Sequence, residues 1–138
     1  MNILLFDSGM GGLSIYQEVR RRLPEHRYDY LFDNAFFPYG EQPEHIIVER
    51  CCSLITQLVH ERQIDLVVIA CNTASTITLP ALRAALSIPV VGVVPAIKPA
   101  AILTQNRCIG LLATPATVQR PYTSQLIVQF AAHCQVLK

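Results

Sequence analysis

Leu66-Val67-Val68-Ile69-Ala70-Cys71-Asn72-Thr73-Ala74-Ser75 is an apolar run of strand length that ends in a cysteine followed by small and polar residues. A run with no polar interruption reads as a strand buried on both faces, as in a parallel sheet. In open α/β sheets, ligands bind beyond the carboxyl ends of such strands. Cys71 therefore stands at the mouth of a candidate site, with Asn72 and Thr73 opening a helix behind it. N–H groups without partners at that helix start suit an anion such as a carboxylate, and the positive helix end favours a thiolate. The competing reading is a small buried cysteine that only packs.

Outward from that stretch the pattern repeats. Residues 3–6 read as a first buried strand, running into Asp7-Ser8-Gly9-Met10-Gly11-Gly12. Glycines there permit a tight turn or a close approach to a ligand. Leu13, Tyr16, Val19 and Leu23 then recur at helical spacing up to Pro24. Residues 28–32 read as strand two, followed by the loop Asp33-Asn34-Ala35-Phe36-Phe37-Pro38-Tyr39-Gly40. Tyr39 suits a pocket wall and a packing role equally, whereas Phe36 and Phe37 read as packing. Pro43 suits the first turn of a helix with Ile47, Cys51, Leu54, Ile55 and Leu58 on one face. Strand three covers residues 66–70, and Pro80 is expected to kink or split the helix after Cys71. Residues 90–94 read as strand four, 95–105 as a short helix or linker, and 108–113 as strand five. Residues 114–132 read as one long helix, and 135–137 as the beginning of a sixth strand. Strands alternating with helices predict an α/β fold with a mainly parallel sheet and flanking helices. A chain that stops inside a strand suggests half of a larger fold. The expected division is a first α/β domain over residues 1–95, carrying Cys71, then a linker and the opening of a second α/β domain over 96–138.

Of the 138 residues, 51% are hydrophobic and 15% charged, ample for a core and contrary to disorder. The net charge is +1 with Lys and Arg scattered, so neither a nucleic-acid footprint nor a polybasic membrane patch is present. The five cysteines show no disulfide framework and no zinc spacing, which predicts reduced thiols, no metal site and a cytoplasmic setting. The opening Met1-Asn2-Ile3-Leu4-Leu5-Phe6 is too short for a signal sequence and lacks its basic start, and no segment is long enough to span a membrane.

Four strand ends carry polar residues: Asp7-Ser8, Asp33-Asn34, Cys71-Asn72-Thr73, and Thr114 with Thr117. In one parallel sheet they would converge on a single edge. The inventory is a thiol, carboxylates, hydroxyls, an amide and helix starts. It lacks a strand-end Lys for a Schiff base, a complete phosphate loop and a metal cluster. His26, His45 and His60 read as solvated, so a Cys-His protease is weakly supported. With the thiolate as nucleophile or base, these groups suit chemistry on a small amino or carboxylic acid. Two alternatives stand beside this. A dinucleotide-binding module would use the Asp7–Gly12 loop, with Asp33 about twenty residues on, although Ser14 replaces the third glycine of the fingerprint. A non-catalytic interaction domain would leave Cys71 inert.

Asp7-Ser8-Gly9-x-Gly11-Gly12-Leu13, Pro38-Tyr39-Gly40, Cys71-Asn72-Thr73-Ala74 and Val91-Gly92-Val93-Val94-Pro95, in that order, resemble the first half of the bacterial glutamate racemases, members of the aspartate/glutamate racemase superfamily. The resemblance implies two α/β domains facing a cleft, no cofactor, and interconversion of L- and D-glutamate for peptidoglycan. In that family two cysteines flank the substrate Cα, one removing a proton and the other returning one on the opposite face. By motif match Cys71 would be the first of them and Asp7 its proton-handling partner. Asp7, Ser8, Tyr39, Gly40, Asn72, Thr73 and Thr117 would bind substrate. The expected partner is small-molecule glutamate, with no nucleic acid and no membrane, and a homodimer at full length. The family's second cysteine lies in a Gly-Cys-Thr-His motif that this sequence does not contain, and Cys108 and Cys134 lack that context.

Overall fold

A computed structural model describes residues 1–138, the side chain of residue 116 excepted. The chain divides into two compact units, Met1–Val93 and Val94–Lys138. In the first, strands β1 (Asn2–Asp7), β2 (Arg27–Phe32), β3 (Leu66–Ile69) and β4 (Val90–Gly92) alternate with helices α1 (Leu13–Arg22), α2 (Glu44–Arg62) and α3 (Asn72–Ala85). All strand pairs are parallel, in the order β2-β1-β3-β4. β1 and β3 lie at the centre, which is why both are unbroken apolar runs. Alternate residues feed opposite faces: Leu4, Phe6, Val67 and Ile69 join a core with Ile47, Cys51 and Ile55 of α2 and Leu79 and Leu82 of α3. Ile3, Leu5 and Val68 pack on the other face, against Ile15 and Tyr16 of α1.

The second unit holds α4 (Ile97–Leu103), β5 (Cys108–Gly110), α5 (Pro115–Gln119), α6 (Pro121–Phe130) and β6 (Gln135–Leu137). β5 and β6 form a separate two-stranded parallel sheet, packed on a small core of Ile97, Ala101, Ile109 and Ala131. Thr114 and Thr117 therefore do not stand on the four-stranded sheet's edge, contrary to the convergence expected of all four polar strand ends.

Several elements depart from the sequence reading, and β4, expected over residues 90–94, ends at Gly92. The helix expected over residues 114–132 is two helices, because Pro121 disfavours helical geometry in the residue before it and Arg120 is extended at φ −68°, ψ 142°. β5 stops at Gly110 rather than reaching residue 113. Its partner β6 is three residues long, Leu111 N–H makes one last bond to Leu137 C=O, and Leu112 is fully exposed. Pro80 does not split α3. It sits inside one continuous helix whose buried residues, from Thr73 to Leu82, lie on both sides of it. Burial on both sides of the proline holds the helix through the lost hydrogen bond.

Candidate active site

Parallel pairing brings the carboxyl ends of β1, β2 and β3 to one edge, and with them Asp7-Ser8, Asp33 and Cys71. Cys71 is the N-cap of α3, its sulfur accepting from Ala74 N–H at 3.4 Å, a role usually filled by a hydroxyl or carboxylate. The Ser8 hydroxyl lies 3.6 Å from the same sulfur. Only 6% of Cys71 is exposed. Burial pushes its thiol up, the Ala74 N–H and Ser8 contacts pull down, and the Asp7 charge pushes up again; the net direction is upward. The helix start favours the thiolate, as expected, without deciding the net direction. The helix does supply its N–H, but loss of water outweighs it.

Asp7 is buried, and its Oδ2 accepts from Gly9 N–H at 3.1 Å and Gly12 N–H at 3.2 Å. The glycines here serve close approach rather than unusual dihedrals, since no glycine has positive φ. A Cβ on Gly12 would lie 2.8 Å from Ala70 Cβ, 2.9 Å from Asp7 Cβ and 2.9 Å from Tyr30 Oη. That absent Cβ lets α1 begin directly on the strand ends. Tyr30 donates to Gly9 C=O at 3.0 Å, and its phenol is pushed up to about 12 by burial and by Asp7 and Cys71.

Asn72, the first residue of α3, is exposed, while Thr73 beside it is buried. Tyr39 and Gly40 open a short 3₁₀ turn, Tyr39–Glu41, that packs against α3. Tyr39 is 1% exposed, and its ring meets Phe6 at 6.1 Å between centroids. Its hydroxyl donates to Asp33 Oδ2 at 2.8 Å and receives Cys51 Sγ at 3.8 Å. With the hydroxyl engaged and the ring in the core, this turn offers a ligand its main chain, whose first N–H groups have no partner within the turn. Phe36 packs on the core as expected. Phe37 does not: it is 59% exposed and lies against Gly9, where a Cβ would meet its ring at 3.1 Å. Nor is His26 solvated, its side chain being 17% exposed beside Glu25. Thr117 belongs to the second unit, where its N–H caps onto Thr114 Oγ1 at 3.4 Å and its C=O accepts from Thr123 at 2.6 Å.

Sequence reasoning passed over Arg50. Its Nε and one terminal nitrogen reach the two Asp33 oxygens at 2.6 and 2.9 Å, and its guanidinium lies 4.2 Å from the Phe36 ring centroid. Burial pushes the Asp33 carboxyl up, but the Arg50 and Tyr39 hydrogen bonds more than offset this and hold it below the ordinary carboxylate value. Both Asp33 oxygens are thereby used, leaving a poor acceptor for the ribose of a dinucleotide. Only the strand-end position of Asp33 was a signal. Its partner lies 17 residues away on α2, with no periodicity to announce it. Cys51, fully buried, is pushed up to about 12 by burial. Among the described residues no group of three or more His, Cys, Asp or Glu is placed to hold a metal, and no helix is long and apolar enough to cross a membrane.

A family model described as Asp/Glu/Hydantoin racemase matches residues 10–136. A glutamate racemase of Shewanella oneidensis is 63% identical over 134 residues, covering 97% of this chain and 49% of its own length. One of Sodalis glossinidius is 60% identical over 136 residues, covering 99% and 47%. The crystal structure of Escherichia coli glutamate racemase in complex with L-glutamate and the activator UDP-MurNAc-Ala superposes with a TM-score of 0.93 at 56% identity, covering 98% of this chain and 51% of that one. The chain spans about half the length of the curated relatives it matches. By the extent of the family match and the agreement in fold, the chain belongs to the Asp/Glu/Hydantoin racemase family.

Proposed function

We propose that these residues form the first half of a cofactor-independent glutamate racemase that interconverts L- and D-glutamate in the cytoplasm, supplies D-glutamate for peptidoglycan, and is a homodimer at full length. On this reading residues 1–95 are the first catalytic domain and 96–138 lead into the second. The observation that carries it is the Cys71 sulfur, set at the start of α3 and 3.6 Å from the Ser8 hydroxyl, on the edge shared with Asp7.

Cys71 handles the Cα proton. Burial keeps it a neutral thiol in the resting site, ready as an acid; to act as a base it first loses its proton to solvent, and Asp7 is the adjoining relay. The Cα–H of an amino acid is a very weak acid, so the site must stabilise charge that develops on the substrate carboxylate. N–H groups at the start of α3, with Ser8, Asn72 and Thr73, suit the α-carboxylate. The main chain of Tyr39 and Gly40 suits the other end of the substrate. The return of a proton on the opposite face falls to a second group outside these residues.

The test is solvent exchange. The full-length enzyme in D2O is given L-glutamate, and both enantiomers are separated by chiral chromatography. Deuterium at Cα of the D-product, lost when Cys71 is replaced by Ala, is the expected outcome. Racemisation at the parental rate without Cys71 overturns the reading.

A further inference from the structure

Asp33, Tyr39 and Arg50 form a three-membered chain outside the proton-handling group. Asp33 is 3% exposed and receives three side-chain hydrogen bonds, one from Tyr39 and two from Arg50. Arg50 reaches it from α2, about a third of its side chain exposed, beside a surface cavity of about 270 Å³ lined by Phe36, Ile46, Glu49, Arg50 and Ser53. The chain thus ties α2, the end of β2 and the 3₁₀ turn at Tyr39 into one unit. This buried carboxylate takes two of its three side-chain hydrogen bonds from Arg50, the one cation among those partners. Removing Arg50 leaves Asp33 with the Tyr39 hydroxyl and the Phe36 backbone N–H but no cation, and a buried carboxylate without its cation draws in water or protonates. Either outcome frees the turn.

We propose that Arg50 is a positioning residue: through Asp33 and the Tyr39 hydroxyl it fixes the main chain of Tyr39 and Gly40 for substrate, and so sets glutamate affinity without taking part in proton transfer. This rests on the glutamate racemase reading above, in which that main chain binds substrate.

Arg50→Met and Arg50→Lys are compared with the parent in the full-length enzyme, by steady-state kinetics and by amide NMR of Tyr39 and Gly40. Arg50→Met should raise KM for glutamate about 10-fold, less than the ~10²-fold a 1 Å misplacement can cost, with kcat held within about twofold. Arg50→Lys, which keeps the charge but not the fork, should fall between. The two amides should shift and exchange faster in Arg50→Met. Unmoved amides, or a fall in kcat at unchanged KM, overturn the proposal. If Arg50→Met does not fold, Tyr39→Phe, which leaves the Asp33–Arg50 pair whole, carries the same two readouts. A parent that leaves glutamate untouched sinks the racemase reading instead, and the amides then decide on Arg50 by themselves.

Discussion

The sulfur of Cys71 is held between opposing influences, and its chemistry follows from which is larger. Burial exceeds the Ala74 N–H and Ser8 contacts, so the neutral thiol persists above the ordinary thiol value of about 8.5. Where Cys71 must act as a base, kcat/KM in the full-length enzyme should therefore rise with pH through neutrality and level off only on the alkaline side, as a pH–rate profile in each direction will show. Cys71→Ala should lower turnover by at least about 10²-fold, the lower range for losing a positioned acid or base. Asp7→Asn separates charge from shape. An amide oxygen can still accept from Gly9 and Gly12, so far-UV circular dichroism should match the parent while turnover falls by about 10²-fold. Unchanged specific activity would make Asp7 a loop tether and nothing more.

Among the elements, the junction between β1 and α1 is tightly constrained. Gly12→Ala would press a methyl against Ala70, Asp7 and Tyr30 at 2.8–2.9 Å. Such overpacking costs about 1–3 kcal/mol and should appear as a lower urea midpoint. The link from β2 to α2 should show itself in acid. Asp33 is held below its usual value when folded, so its stabilisation is present above the unfolded carboxyl value of about 3.9 and is lost as pH falls through the folded one. Urea midpoints measured from pH 6 to pH 2 should drop over that acid range in the parent, and less in Asp33→Asn. Most elements were legible because β1 and β3 are apolar without interruption and α2 repeats Ile47, Cys51 and Ile55 at helical spacing. What failed were ends and breaks set by neighbours. The length of β5 is decided by β6 and the continuity of α3 by the core beneath it, and neither is local. Pro121 was a local signal, outweighed in reading by the apolar residues around it. Asp7, Ser8 and Cys71 could be placed together since strand ends in a parallel sheet share an edge. The Arg50–Asp33–Tyr39 tie could not, as it joins a helix to a loop through side chains alone.

For the molecule as a whole, inversion at carbon needs acid and base on opposite faces. On the proposed reading, residues 1–138 offer Cys71 for one face. Substrate positioning is worth roughly 7–11 kcal/mol where complete, and on the same reading these residues supply only part of it. The 138-residue polypeptide by itself is therefore expected to leave D- and L-glutamate unchanged, with chiral chromatography as the check. Sustained interconversion abolished by blocking Cys71 would mean that a single wall suffices. The register of the larger sheet bears on how the protein comes into being. Every pair in it joins residues between Asn2 and Gly92, and each strand after the first docks beside one already made, β2 and β3 on β1, then β4 on β3. On a ribosome adding about 5–20 residues per second, such a sheet can close in step with synthesis, without waiting for a later segment to thread between its strands. Biogenesis of the sheet edge that carries Cys71 would then be vectorial, finished at the amino end while the rest is still being translated.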